Sequence, residues 1–373
     1  MQNIILVFFT SVLVVIFGIP SIITIAKMKG LYDKPDNRKI HTSKIPRLGG
    51  LAIIAGFSIA ISIWGLQEGM SRLQYLQAAV IILFFSGLKD DVVGLSPVKK
   101  LLSQFVAAFI VVFGENICIT SFYGLFGIYD IPMWVGVPIT LFTIIVITNA
   151  FNLIDGVDGL AGGIGFIICL TFGLWFNFID QTGWAIMSFG LAGALFGFLV
   201  FNFNPAKIFM GDAGSLTTGF LISILAIQFI EFNNDLAYNF YKLSSAPSLA
   251  IAILIVPLFD TIRVFTLRLI KKQSPFTPDR NHIHHALIKI GLGHKEVCLV
   301  MYIANILFVM VAFLLKDSGN LNILMILGSL ALVLTYIPTY VLKHRIQDIE
   351  VEHNIDRQIN ESLNKIQKTQ ESN

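Results

Sequence analysis

The stretch NIILVFFTSVLVVIFGIPSIITIA, residues 3–26, carries no charged side chain, and Lys27 and Lys29 follow it at once. At 1.5 Å of rise per residue, such a run crosses a ~30 Å hydrocarbon core as one helix. A secretory leader would place basic residues ahead of the apolar run and a small-residue cleavage site after it. Here the charges come second, so a retained helix is expected. Similar runs recur along the chain, and together they set the fold class. Approximate spans are 3–26, 48–66, 74–88, 101–120, 133–151, 161–179, 183–203, 213–231, 247–267, 296–315 and 321–342. The expectation is an all-α, polytopic integral membrane protein of about eleven transmembrane helices. One transmembrane domain covers 1–342, and a polar tail follows over 343–373. A membrane β-barrel would show ~10-residue alternating segments instead.

Composition agrees. Of 373 residues, 55% are hydrophobic and 13% are charged, with a mean hydropathy of +0.77. A water-soluble chain would carry roughly a quarter charged residues. Cys118, Cys169 and Cys298 sit in or beside apolar segments, which suggests neither a disulfide framework nor a thiolate metal site.

The basic residues are unevenly distributed. With the N-terminus outside, 22 of the 26 Lys and Arg fall on the side that becomes cytoplasmic. The positive-inside rule then places the N-terminus outside and the C-terminus in the cytoplasm. Five stretches break the apolar pattern, at 30–50, 87–100, 149–163, 204–215 and 271–295, and all lie on that cytoplasmic side. A one-sided site at the membrane surface follows, suited to a water-soluble substrate meeting a lipid-borne one.

Carboxylates dominate these stretches. Asp90 and Asp91 end the third span in GLKDDVVGLSP, Asp155 and Asp158 lie in NAFNLIDGVDGLAGG, and Asp212 lies in NPAKIFMGDAGS. Acids near membrane depth cost roughly 2.5–3.5 kcal/mol each on insertion scales. Any one of them is accounted for by helix-end solvation, but five on one face are not. Hard carboxylate oxygens suit Mg²⁺, with substrate phosphates completing its shell. Gly156, Gly159, Gly162, Gly163, Gly211 and Gly214 surround the acids. A bare glycine-rich stretch in a membrane protein more often serves helix packing. Interleaved with carboxylates, it also suits close backbone approach to phosphate. His282, His284 and His285 follow PFTPDRN in the longest basic loop, beside Arg280. Zinc is the rival reading, but His284 and His285 are consecutive and no Cys is near. Neutralising a pyrophosphate fits better, with Arg280, Lys100 and Lys44 assisting. Asp260 and Arg263 read as an intramembrane ion pair at i,i+3. The tail from Lys343 reads as a charged helical extension fraying into disorder.

These motifs, in this order, resemble the polyprenyl-phosphate N-acetylhexosamine-1-phosphate transferases, over about Gly30 to Lys295. KPDNRKIHTSKIPRLGG, NLIDGVDGLAGG, MGDAGS and TPDRNHIHH are similar to the undecaprenyl-phosphate N-acetylglucosaminyl-1-phosphate transferase branch, which initiates O-antigen, enterobacterial common antigen and teichoic acid linkage units. The resemblance implies that Asp90 and Asp91 are the adjacent aspartates needed for turnover, one of them facing the lipid phosphate. It implies Asp212 as a ligand of Mg²⁺ (Mn²⁺ being the alternative ion), Asn152 as a sharer of that metal, and Lys100 as a phosphate contact. Asp155 and Asp158 fall near the nucleotide, and Phe209 matches an aromatic that stacks on uracil. Arg280, His282, His284 and His285 fall in the loop over the pyrophosphate.

The implied partners are a UDP-N-acetylhexosamine, undecaprenyl or another polyprenyl phosphate, the membrane lipids and, as in other members of the superfamily, a second copy of the chain; no nucleic acid is called for. The implied location is the bacterial cytoplasmic membrane. A phosphorus atom of the donor would be attacked by the lipid phosphate, releasing UMP. A secondary transporter is the rival from another class, but transporters place ionisable groups near the midplane at broken helices, often in repeats, and no repeat is seen here.

Overall fold

A backbone inside a bilayer has no water to bond to, so an apolar run closes its own hydrogen bonds as a helix. The computed structural model describes residues 2–32, 45–65, 73–236, 242–272, 282–338 and 340–342. In chain order these form α1 (Gln2–Lys29), α2 (Gly49–Trp64), α3 (Leu73–Val93), α4 (Pro97–Gly114), β1 (Ser121–Leu125), β2 (Ile128–Asp130), α5 (Met133–Leu153), α6 (Leu160–Phe178), α7 (Thr182–Asn202), α8 (Gly211–Asp235), α9 (Ala246–Ile253), α10 (Ile255–Ile270), α11 (Ile283–Lys289), α12 (His294–Leu314) and α13 (Asn320–Leu342). Lys44, Arg280 and the tail 343–373 lie outside the described residues.

Among the described residues, eight helices are long and apolar enough to span a membrane. They become nine if α9 and α10, bent by 81°, form one span. This is an all-α polytopic membrane protein with fewer full spans than the eleven expected. Every expected run does hold helix. However, α2 is short, and α3 is diluted by Gln74 and Gln77 at one end and by Lys89 and Asp90 at the other.

Two boundaries depart from the apolar pattern. The run 101–120 is not helical throughout: α4 stops at Gly114, and Asn116 takes a left-handed φ of 59°. The chain then enters a small antiparallel hairpin with Ser121 opposite Asp130. The run 247–267 breaks at Leu254, between α9 and α10. Pro257, in the first turn of α10, has no N–H to continue the ladder from α9.

The centre of the bundle is α8, against which α2, α3, α5, α6, α7 and α9 all pack. From Ala213 to Ile227 its sequence is apolar or small around the whole circumference, and every residue of that stretch is buried. Two glycines let neighbours reach its first turn. A Cβ on Gly50 of α2 would run into the backbone of Ala213 and Gly214, and one on Gly87 of α3 into that of Asp212 and Ala213. The chain before α2 is also laced to the entry of α8. Phe209 N–H donates to Pro46 O, Gly49 N–H to Phe209 O and Gly50 N–H to Met210 O, each at 2.8 Å.

Candidate active site

The close glycine contacts bring the polar end of α3 onto the N-terminus of α8. Helix N-termini carry unpaired N–H groups, and α8 has no capping side chain of its own. Asp91 supplies the cap from another helix: Oδ1 accepts the Asp212 N–H at 2.8 Å and Oδ2 the Ala213 N–H at 3.0 Å. Asp90, its neighbour, turns elsewhere. Its Oδ1 accepts the Leu95 N–H, and its Oδ2 lies 3.2 Å from Lys100 Nζ. The two adjacent aspartates therefore do different work.

Lys100 stands in the first turn of α4 and links two acids. Its Nζ reaches Asp212 Oδ2 at 2.5 Å as well as Asp90. On the far side of Asp212, the Asn152 amide nitrogen donates to Oδ1 at 2.8 Å and to Ser215 Oγ at 2.6 Å. A second tier lies one helical turn deeper. Ser86 and Ser103 join α3 to α4 at 2.8 Å, and the amides of Gln104 and Asn149 exchange two hydrogen bonds between α4 and α5, at 3.2 and 2.6 Å. Helices α3, α4, α5 and α8 thus close a ring of polar contacts around Asp90, Lys100, Asn152 and Asp212.

Asp155 and Asp158, in the loop between α5 and α6, also part ways. Asp155 as a residue is half-buried. Burial, ahead of the charges of Asp212 and Asp91, pushes its carboxyl up to about 7. Asp158 is buried, and its Oδ2 accepts the Asn204 side chain at 3.0 Å and the Ala206 N–H at 3.1 Å. Its other oxygen faces His294 Nδ1 at 3.6 Å. Asp158 therefore braces the 204–206 segment that leads to Phe209. Phe209 itself is half-buried, two residues before α8. Helix α12 grips the same loop from behind: Cys298 Sγ reaches Asp158 O at 3.0 Å, and the Tyr302 hydroxyl donates to Gly159 O at 2.5 Å.

The histidines form the opposite wall. His282 and His284 stack with centroids 5.3 Å apart and planes 8° apart, and His285 lies 4.4 Å from His284. His284 rests on the acidic loop, since a Cβ on Gly156 would lie 2.9 Å from its Nε2. Gly156 thus leaves room for the His284 ring. Burial pushes the His284 imidazole down to about 3, so it is neutral at pH 7 and offers hydrogen bonds rather than charge. The Asp260 carboxylate, expected to serve Arg263 within its own helix, is engaged at both oxygens by the histidine segment.

The structure thus brings Asp90, Asp91, Lys100, Asn152 and Asp212 together, with Asp155 beside them and His282, His284 and His285 across the loop. Ser215 and His294 are not singled out by the sequence, and Asp260 is singled out there only as a partner for Arg263. Ser215 lay inside a quoted motif, whereas His294 and Asp260 carried no local signal of their contacts.

Residues 73–230, which hold every one of the acids above except Asp260, match the sequence profile of Glycosyl transferase family 4. A probable undecaprenyl-phosphate N-acetylglucosaminyl 1-phosphate transferase of Bacillus subtilis (strain 168) is 36% identical over 321 residues, 85% of this chain and 86% of that protein. The chain belongs to glycosyl transferase family 4. Other members include an undecaprenyl-phosphate alpha-N-acetylglucosaminyl 1-phosphate transferase of Escherichia coli (strain K12), 30% identical over 79% of each chain. A decaprenyl-phosphate N-acetylglucosaminephosphotransferase of Mycolicibacterium smegmatis is 30% identical over 91% of this chain and 89% of its own.

Proposed function

We propose that this chain transfers N-acetylglucosamine-1-phosphate from UDP-N-acetylglucosamine to a polyprenyl phosphate, releasing UMP, at the cytoplasmic face of a bacterial inner membrane. The bridge from Lys100 to both Asp90 and Asp212, at the ends of membrane helices, carries this reading. The names of its family-4 relatives support the sugar and the lipid. The distribution of Lys and Arg supports the face.

The reaction joins two anions, the lipid phosphate and the donor pyrophosphate. Like charges ~4 Å apart repel by about 4 kcal/mol at an effective dielectric near 20, so positive charge has to be supplied. Lys100 contributes one such charge from a partly buried position, but Asp90 and Asp212 already offset it, so a bound cation would have to supply the rest. A phosphate monoester has a second pKa near 6, so the lipid nucleophile is largely deprotonated at neutral pH without help. Asp90, already accepting from Leu95 and Lys100, therefore serves better to orient Lys100 than to remove a proton.

The donor set also suits Mg²⁺. Asp212 and Asp90 offer hard oxygens, Asn152 can turn its own Oδ1 to a cation, and the Ser215 hydroxyl stands beside it. Among the described residues no three His, Cys, Asp or Glu converge to hold an ion alone. That fits a metal that completes its shell with substrate phosphates. When bound, such an ion would neutralise phosphate charge and stabilise departing UMP. The histidine segment and Phe209 are the residues this reading gives to the nucleotide.

The test is UMP release by purified protein with undecaprenyl phosphate, Mg²⁺ and a panel of UDP-sugars. UMP is expected only when lipid, metal and UDP-N-acetylglucosamine are all present. Release from another UDP-N-acetylhexosamine or from UDP-muramyl-pentapeptide would overturn the donor, and no release from folded protein would overturn the reaction. Inside-out vesicles should turn over added donor while right-side-out ones do not; the reverse would overturn the face.

A further inference from the structure

The histidine segment is held by a carboxylate that the family profile does not reach. Asp260 lies one turn into α10, just past the 81° break from α9. Its exposure is 1%, so its charge is costly unless fully partnered. Both oxygens are spent on one short segment: Oδ2 lies 2.8 Å from His282 Nδ1, and Oδ1 accepts the Ile283 N–H at 2.8 Å. Without the break, α9 and α10 would continue in one direction and Asp260 would not meet this segment.

The choice of ring nitrogen has a chemical consequence. A carboxylate only accepts, so Nδ1 of His282 must carry a proton. The uncommitted nitrogen is then Nε2, an acceptor in the neutral ring and a donor in the charged one. His284 stacks flat on His282 and in turn rests on Gly156, so the orientation of one ring propagates to the acidic loop. The other titratable groups beside this pair are His284 and His285.

We infer that Asp260 is a positioning residue for the transfer reaction, acting through His282 by fixing its Nδ1–H form and aiming Nε2 at the nucleotide-sugar. This rests on the transferase reading above. It also opposes the simpler view of Asp260 as a staple for the loop.

Asp260→Asn separates the two views. The amide keeps size and can still accept the Ile283 N–H, but it then presents an NH₂ to Nδ1. His282 must release its Nδ1 proton and hold one on Nε2 instead, the wrong form for its role. UMP release should fall on the order of 10- to 100-fold, the usual cost of losing the outer partner of a functional imidazole, while the unfolding temperature in detergent stays close to that of the parent. In a His282→Gln background the same substitution should cost less than about threefold, because the residue it acts through is gone. An equal loss in both backgrounds, or parental turnover by Asp260→Asn, would overturn the inference.

Nitrogen-15 spectra of histidine-labelled parent protein, assigned by loss of a signal in His282→Gln, read the proton directly and do not depend on turnover. A protonated Nδ1 is expected, and an unprotonated Nδ1 would overturn the inference even if Asp260→Asn failed to fold. Failure of the parent to release UMP, with Nδ1 protonated, would instead count against the transferase reading.

Discussion

The acidic half of the site is fixed by four helices at once, whereas the histidine half is tied down by one carboxylate. Asp90, Lys100, Asn152 and Asp212 come from α3, α4, α5 and α8, and contacts between side chains or to backbone join each helix to the next around a closed ring. His282 and the start of α11 depend on Asp260, and His284 depends on the gap left by Gly156. A closed ring loses one contact and keeps its shape. A single orienting carboxylate has no neighbour to take over its role. In the proposed reaction, charges facing two phosphates would use the first arrangement, and residues beside an exchanging substrate the second.

The largest effect that sharpens this contrast is on Lys100. Lys100→Met would leave Asp90 and Asp212 facing each other without their shared cation. UMP release should fall by about 10³-fold, in the range for removal of a preorganised charge-stabilising group. His285→Ala, at the edge of the other wall, should cost about tenfold or less in the same assay; equal losses would erase the distinction.

Next come two glycines. Gly87→Ala forces a methyl into the backbone of Asp212 and Ala213 and should destabilise by about 1–3 kcal/mol. Gly156→Ala meets the His284 ring, a side chain rather than backbone, so it should cost less, about 1 kcal/mol or below, while the KM for the UDP-sugar rises. Unfolding in detergent checks both, and a Gly156→Ala that unfolds as readily as Gly87→Ala would show the histidine wall to be as rigid as the ring.

The smallest effect divides the adjacent aspartates. Asp91→Ala removes the cap of α8 and should lower stability by about 0.5–2 kcal/mol along with activity. Asp90→Ala should lose activity with a smaller change in stability. The opposite order would mean that the cap matters less than the Leu95 and Lys100 contacts of Asp90.

Much of this was legible in the chain. Apolar run length located every spanning helix, because a bilayer leaves the backbone no other way to satisfy its polar groups. The acids were found because charge at such positions is costly. What escaped were properties of pairing. Nothing local to DD tells which aspartate caps a helix and which holds a lysine. Asp260 and Arg263 share a helical face, and that short-range geometry hid a longer-range partner brought in by the break at Leu254. Run 101–120 read as one helix because Ile117 and Ile119 are as apolar as their neighbours, although the left-handed Asn116 ends the regular path.

The cap on α8 bears on how the enzyme is made. Asp91 is synthesised 121 residues before the amide of Asp212 that it accepts. Until α8 emerges and docks, α3 and α4 sit in the membrane with Asp90 and Lys100 already paired but with no second acid to hold. A nascent chain that ends before Asp212 therefore lacks the closed acidic ring. The acidic ring closes only when the eighth helix takes its N-terminal partner from the third, and the histidine segment, later still in the chain, follows it.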